Sequence, residues 1–174
     1  MKHTMLLAAA MTAVALIGSI LAATPANAQT PINPILPVKN TKEIRLNGNF
    51  QFDPTNSSNL NVGLGYFLSS NLEVGGEVGF NNPDPGDSSY NATAFVDYHF
   101  PGASALLPFV GLQAGFADPG GSGDTYFAYG VRGGVKYFLN QNVSANAILQ
   151  YSDTDQSNSV SDFRLNFGLS VYLR

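Results

Sequence analysis

Cysteine is absent from the 174-residue sequence, which excludes disulfides, thiol nucleophiles, cysteine metal sites and the attachment site of a lipoprotein anchor. Charged residues are also scarce, at 11% of the chain against roughly a quarter of an average soluble domain. The formal net charge is −4, so the electrostatic footprint of a nucleic-acid-binding protein is missing. We therefore expect no cysteine chemistry and no nucleic-acid partner.

Glycine and aromatic residues are abundant instead, with 18 Gly, 12 Phe and 8 Tyr. Together with many Asn and Ser residues, this composition favours β-strands joined by polar turns over helical membrane spans or an ordinary soluble core. The length allows one domain.

The first 28 residues have the pattern of a secretory signal peptide. Lys2 supplies the positive start, residues 5–23 are apolar, and Ala26-Asn27-Ala28 is a small-residue cleavage site. The alternative is an uncleaved anchor, because the apolar run approaches the ~20 residues that span a bilayer. The cleavage site favours the signal peptide, so we predict export.

Residues 29–42 have no hydrophobic periodicity and contain Pro31, Pro34 and Pro37. Such a segment is typical of a flexible or extended arm. We predict a periplasmic arm here, followed by one β-barrel domain over residues 43–174.

From residue 43 onward, apolar side chains recur at every second position, the pattern of a strand with one apolar face. Eight segments carry it: 44–52, 60–67, 72–80, 90–99, 106–116, 127–139, 143–151 and 163–173. Most are long enough for a tilted strand to cross a bilayer, which takes ~9–11 residues.

The connections between these segments alternate in length. The turns at 69–71, 101–104 and 140–142 are short, whereas the polar loops at 53–59, 82–89, 118–124 and 153–161 are longer. Bacterial outer-membrane barrels have short periplasmic turns and longer extracellular loops. The sequence therefore predicts an all-β fold, an eight-stranded antiparallel up-and-down transmembrane β-barrel.

A soluble lipocalin-like barrel would show the same alternation with the apolar residues turned inward. Here the polar face is rich in glycine and the apolar face is bulky, while the many Lys and Glu residues of a soluble exterior are missing. The composition favours the membrane barrel. Aromatic girdles are then expected near the strand ends: Phe80, Tyr90, Phe116, Phe127, Tyr151 and Phe163 at one rim, and Tyr66, Tyr98, Phe100, Tyr137 and Phe138 at the other.

The polar face of the strands carries four charges of each sign. We predict an interior charge network of Arg45, Glu73, Glu77, Asp97, Arg132, Lys136, Asp162 and Arg164. Enclosed charges must be paired or hydrated, since an isolated buried ion is very costly. The network predicts either a structural plug or a constricted, pore-lining ion path. The plug is favoured because eight strands enclose only enough space for side chains.

The longer loops contain no Lys or Arg and seven Asp residues: Asp53, Asp84, Asp87, Asp118, Asp124, Asp153 and Asp155. Such acidity could recruit cations or a basic partner. Turn formation explains the same residues, since Asp favours turns. The segment 153–155 lacks the further ligands of a calcium loop, so we predict no metal site there.

Catalytic machinery is not evident in the sequence. His99 is the single histidine beyond the signal peptide, and Asp97 lies on the same strand face, where the two could pair. No serine completes a nucleophile–base arrangement with them. We predict no catalytic residue and no cofactor.

The segments PFVGLQAGF (108–116) and FAYGVRGGVKYFL (127–139) resemble the bacterial porin-family outer-membrane β-barrel domain, in its OmpA- and OmpX-like small eight-stranded form. The resemblance covers residues 43–174. It implies residence in the bacterial outer membrane, with outer-membrane lipid or lipopolysaccharide and the outer-membrane assembly machinery as partners. One departure is the end of the chain, Tyr172-Leu173-Arg174, where such barrels commonly have a terminal aromatic residue.

Members of that family serve in envelope integrity, adhesion and defence against host factors. We therefore expect an integral, non-enzymatic outer-membrane protein with a structural or surface-interaction role and a plugged interior. The alternatives are a narrow porin-like channel for ions or small solutes, and an adhesin or immune-evasion protein. The sequence identifies no external partner.

Overall fold

In a computed structural model of the chain, the described residues are 37–51, 56–84, 87–100, 105–121, 123–155 and 162–174. The predicted signal peptide, most of the predicted arm, the turn at 101–104, Asp53 and residues 156–161 lie outside them. For Asp84 the backbone alone is described. None of the described residues belongs to a helix long and apolar enough to cross a membrane.

Eight antiparallel strands form a closed barrel in chain order, as the period-two pattern predicts. They are β1 (Lys42–Gln51), β2 (Asn56–Phe67), β3 (Leu72–Asp84), β4 (Ser89–His99), β5 (Leu106–Asp118), β6 (Tyr126–Asn140), β7 (Val143–Thr154) and β8 (Asp162–Leu173). Strand β1 pairs with both β2 and β8, which closes the ring. The predicted fold class is confirmed.

The two ends of the barrel differ in their connections. The turn end contains the first residue of β1, Lys42, and the last residue of β8, Leu173. The short connections at 68–71 and 141–142 lie at the same end. At the loop end lie the connections between β1 and β2, β3 and β4, β5 and β6, and β7 and β8. The last residues of the predicted arm form a turn at the turn end, where the Asn40 amide donates to the Phe67 carbonyl at 2.8 Å.

Some strands extend further toward the loop end than the sequence indicates. Strand β2 begins at Asn56, which pairs with Asp84 of β3, although the apolar alternation covers only 60–67 and 72–80. Backbone hydrogen bonds continue the ladder beyond the last apolar residue, because pairing of backbone groups does not depend on side-chain polarity. The corresponding predicted loops are therefore shorter than expected.

Large apolar side chains cover the outside of the barrel. Leu112 is 65% exposed and Leu64 is 64% exposed, and both occupy the middle of their strands. Such a surface suits a lipid environment, where an outward apolar band surrounds the barrel. A soluble barrel would turn these residues inward.

The inside of the barrel is mostly polar, with an apolar cluster at the turn end and the separate buried side chains Phe95, Phe109 and Ile148. This cluster contains Phe67, Leu107, Phe138 and Tyr172. Placing Phe138 in the aromatic girdle was wrong, because its neighbours Tyr137 and Leu139 take the outward positions and Phe138 packs against Tyr172 at a ring distance of 5.1 Å.

Glycines on the inward face make room for charged side chains. A Cβ built on Gly65 would lie 1.8 Å from Oε1 of Glu73, and one on Gly111 would lie 2.1 Å from Oδ1 of Asp97. Carboxylates of neighbouring strands thus occupy the space above these glycines. A barrel this narrow can enclose charged side chains only because some of its inward positions are glycines, which have no side chain.

Candidate functional site

The turn half of the barrel contains a network of buried ion pairs, formed by Glu43, Arg45, Glu73, Asp97, Arg132 and Lys136. Lys136 Nζ lies 2.9 Å from Oε2 of Glu73 and also binds Glu43. Arg45 Nε donates to Oε1 of Glu43 at 2.9 Å, and its Nη2 lies 3.2 Å from Oε1 of Glu73. Four strands, β1, β3, β4 and β6, contribute to the network.

Asp97 and Arg132 extend this network toward the loop end. Arg132 Nε lies 3.2 Å from Oδ1 of Asp97, and Arg45 Nη2 lies 3.8 Å from Oδ2 of the same carboxylate. Both guanidinium groups also stand over the ring of Phe95, at 4.9 Å for Arg45 and 4.4 Å for Arg132. Stacking on an aromatic face stabilises a cation by roughly 0.5–2 kcal/mol.

His99 belongs to the network through Glu73. Its Nε2 lies at hydrogen-bond distance, 2.9 Å, from Oε2 of Glu73, and its ring packs between Phe67 and Phe109 at 5.1 and 5.4 Å. The partner of His99 is therefore Glu73 of the neighbouring strand rather than Asp97, because buried Asp97 faces the two arginines.

One ligand atom each from Glu73, Asp97 and His99 lies within 4.8 Å of the others, a spacing that could hold a metal ion. Three cationic side chains already engage those carboxylates: Arg45 and Lys136 at Glu73, and Arg132 at Asp97. The net charge of the network is balanced, with three carboxylates and three cations. The arrangement is that of an ion-pair cluster.

Glu43 is the network member that the sequence analysis missed. It is fully buried, binds Lys136 and Arg45, and accepts a 2.5 Å hydrogen bond from Ser170 Oγ of β8. A signal was present, because Glu43 lies two residues before Arg45 and so shares its inward face.

The loop half of the interior is an open cavity of about 330 Å³, here called the cup. Its polar lining comprises Asn61, Glu77, Asn91, Thr93, Gln113, Tyr126, Gln150, Ser152, Thr154, Asp162 and Arg164. Amide side chains are linked along one wall, where Asn166 donates to Gln150 at 2.8 Å and Gln150 donates to Gln113 at 3.2 Å. Neutral hydrogen-bonding groups dominate this space.

Three of the eight predicted interior charges lie in the cup rather than in the network. Asp162 and Arg164 form an ion pair with each other and are each about two-fifths exposed. Glu77 forms no ion pair with any described residue. Arg132 pairs with Asp97 because Gly111 of β5, which has no side chain, is the residue that lies between them in the sheet.

Two acidic residues of the loop end, Asp118 and Asp153, accept hydrogen bonds from nearby backbone amides. Oδ1 of Asp118 accepts from the Gly120 amide at 2.9 Å, and Oδ1 of Asp153 accepts from the Thr154 amide at 2.8 Å. Asp87 and Asp124 are exposed, and so is Asp155. Within the described part of these loops, no three acidic side chains approach each other at metal-ligand spacing.

Comparisons with known proteins identify the architecture. No family model matches the chain. No curated protein matches it either. Among solved structures, the N-terminal β-barrel domain of OprF from Pseudomonas aeruginosa aligns with a TM-score of 0.59 and 18% identity, covering 78% of this chain and 98% of that one.

Two further structures align with the same barrel. Neisserial surface protein A aligns with a TM-score of 0.58 at 20% identity, covering 75% of this chain and 94% of its own. The outer membrane protein Ail of Yersinia pestis aligns with a TM-score of 0.51 at 15% identity, covering 78% of this chain and 100% of that one. The fold of this chain is therefore that of the small eight-stranded outer-membrane β-barrels.

Proposed function

We propose that the chain is an integral, non-enzymatic outer-membrane barrel with a structural role in the envelope, and that its interior charge network closes it to solutes. The observation that carries the proposal is the burial of this network. Glu73 and Lys136 have no accessible surface, and Arg45 and Arg132 have almost none. A hydrated ion entering the cup would meet a floor of charged side chains with almost no accessible surface.

The network is also an energetic barrier. Removing one partner from a buried ion pair leaves an uncompensated charge and costs about 3–5 kcal/mol. An ion crossing the turn half would have to displace several such pairs and the ring of Phe67 or Tyr172. Passage would therefore require rearrangement of the barrel interior.

The apolar outer belt supports residence in a bilayer, with outer-membrane lipid or lipopolysaccharide as the surrounding partner and the assembly machinery as the route of insertion. The predicted signal peptide agrees with that route. A non-enzymatic role is supported by the environment of His99, since its ring is enclosed by Phe67, Phe109 and Glu73 and does not reach the cup.

A surface-interaction role is the second candidate, favoured by the acidity of the loop end. Asp118 and Asp124 are exposed there, and the loops contain no Lys or Arg. A basic partner would be attracted by such a surface. Attachment measurements with Asp118→Asn and Asp124→Asn together test it, with unchanged barrel folding as the control.

Conductance measurements test the closed interior. Protein purified from the membranes of an expressing host is inserted into a planar bilayer, beside Arg132→Ala and Arg164→Ala variants. The wild type and Arg164→Ala are expected to remain silent after insertion, because Arg164 lies in the cup and outside the network. Discrete opening steps in the wild type, altered by Arg132→Ala, would reject the plug and favour a narrow channel.

A further inference from the structure

The part of the cup wall formed by β5 and β6 carries small residues at its inward positions. Ala117 and Ala128 line the cavity. Gly115 of β5 is paired with Ala128 of β6 across the sheet. Because these residues are small, they leave room for the cavity beside this wall. The volume of about 330 Å³ lies at the lower end of the roughly 300–1,000 Å³ of small-molecule sites.

Polar side chains flank the small residues. Asn91 of β4 and Tyr126 of β6 are both paired with Ala117 of β5, so two cross-strand spacings, roughly 10 Å, separate their backbones. One row nearer the network, Thr93 of β4 is paired with Gly115. Asn91, Thr93 and Tyr126 all line the cup. The wall therefore has room for a ligand about one ring wide between two flanks.

The flanking side chains have hydrogen-bonding capacity that the described protein does not use. Asn91, Thr93 and Tyr126 form no side-chain hydrogen bond with another described residue. On the adjacent wall, Gln113 donates to Oγ of Ser152 at 3.0 Å, and no described acceptor takes the proton of that hydroxyl. The cup thus offers both donors and acceptors to a molecule that enters it.

The formal charges that border the cup interact with other charges of the protein. Asp162 is paired with Arg164, and Arg132 interacts electrostatically with Glu77. A charged solute would compete with these interactions, whereas a neutral solute leaves them intact. The free groups of the cup are amide and hydroxyl groups, so its chemistry suits a neutral polar molecule.

We propose that the cup binds the ring of a neutral sugar, with one face of the ring against Ala117, Ala128 and Tyr126. A sugar ring has C–H groups on its faces and hydroxyl groups around its edge. The C–H groups contact the two alanines and the aromatic ring, and the hydroxyl groups exchange hydrogen bonds with Asn91 and Thr93. A few polar groups beside an apolar surface fix the orientation of a ligand in this way.

This site goes beyond the proposed closed interior and does not depend on it. The cup lies on the loop side of the network, which in outer-membrane barrels is the extracellular side. A sugar bound there comes from outside the cell. The wall formed by β4, β5 and β6 would keep its side chains even if conductance measurements revealed a channel.

Saturation-transfer NMR on the protein in dodecylphosphocholine micelles tests the proposal, because this detergent has no sugar headgroup. Glucose, galactose, N-acetylglucosamine and maltose are the probes, and zwitterionic glycine is the comparison. At least one sugar is expected to receive saturation from the protein, most strongly at the ring protons of one face. Absence of transfer to all of these sugars, or transfer to glycine as strong as to any sugar, would overturn the proposal.

Ala128→Leu places a larger side chain where the sugar ring is expected. Titration of the responding sugar should show binding weakened by about tenfold or more, because the added bulk overpacks the site. Ala94→Leu is the matched control, since it adds the same bulk at an outward position of β4. Its affinity is expected to stay within about twofold of the wild type.

Tyr126→Leu provides a second variant with a smaller change in volume. Loss of the aromatic ring is expected to weaken binding by about three- to tenfold. Tyr137→Leu, at an outward position of the same strand, is the control. Gel mobility before and after boiling verifies that each variant is folded. Wild-type affinity in folded Ala128→Leu or Tyr126→Leu, or an equal loss in their outward controls, would contradict the site.

Discussion

Lys136 Nζ on β6 lies 2.9 Å from Oε2 of Glu73 on β3, across the barrel interior, and neither side chain has accessible surface. Lys136 also binds Glu43 on β1, so one ammonium group connects three strands that are distant in the chain. A buried contact of this kind constrains the barrel from within, in addition to the hydrogen bonds of its wall.

Replacing Lys136 by Met should destabilise the barrel by about 3–5 kcal/mol, because two buried carboxylates lose their shared cation. Urea unfolding of the protein in micelles, followed by circular dichroism, measures the change. Lys39→Met, at an exposed position, is the control and should change stability little. Equal stability of both variants would show that Glu43 and Glu73 do not need the lysine.

Gly65→Ala and Gly76→Ala form a matched pair on opposite faces of the wall. A Cβ at Gly65 would lie 1.8 Å from Oε1 of Glu73, whose carboxylate is held by Arg45 and Lys136. We expect Gly65→Ala to cost about 1–3 kcal/mol by overpacking. At Gly76 the nearest atom, the Thr93 carbonyl oxygen, is 3.7 Å away. Gly76→Ala should therefore be neutral or stabilising in the same unfolding experiment.

Adjacent arginine substitutions on β5 test which face meets lipid. Leu112 points outward and Gln113 lines the cup. Leu112→Arg should destabilise the barrel by about 2–4 kcal/mol in lipid vesicles, as a charge does at the bilayer midplane. Gln113→Arg should be tolerated because the cup admits water. A larger loss of stability for Gln113→Arg than for Leu112→Arg would mean that Gln113, rather than Leu112, faces the lipid.

Tyr172 tests the hydrogen bonding around the apolar cluster. Its hydroxyl lies 3.0 Å from Oγ of Ser144, and its ring is fully buried. Tyr172→Phe removes that hydrogen bond and should cost about 0.5–1.5 kcal/mol. Tyr137→Phe, on the outward face, is the comparison and should change stability less. Thermal unfolding monitored by gel mobility measures the stability of both variants. An equal loss of stability in Tyr172→Phe and Tyr137→Phe would show that the hydrogen bond between Tyr172 and Ser144 contributes nothing.

Most of the fold was predictable from local pattern. Period-two alternation identified all eight strands and assigned residues such as Ile44 outward and Arg45 inward, because successive side chains of a strand point to opposite faces. Strand ends were less predictable, since β2 and β3 continue beyond the last apolar residue at Asn56 and Asp84. The prediction for Phe138 was wrong because it was based on the nearness of this residue to a strand end. The alternation of side chains along β6 places Phe138 on the inward face.

The interior charges show the limit of local pattern. Parity alone places Glu43, Glu77 and Arg132 inside, and it also places Asp162 and Arg164 inside. It does not say that Arg132 joins Asp97, or that Asp162 and Arg164 pair with each other in the cup. Those contacts depend on the pairing register of neighbouring strands, which determines the inward residues that lie side by side.

The sequence by itself determined the number of strands, the face of each side chain and the chemistry available inside, because alternation is a property of the extended backbone. Only the tertiary structure decided which charges meet. Glu43 and Lys136 are 93 residues apart and touch because the barrel closes between β1 and β8. Strand stagger and side-chain length set such contacts, and both are defined only once the barrel has closed.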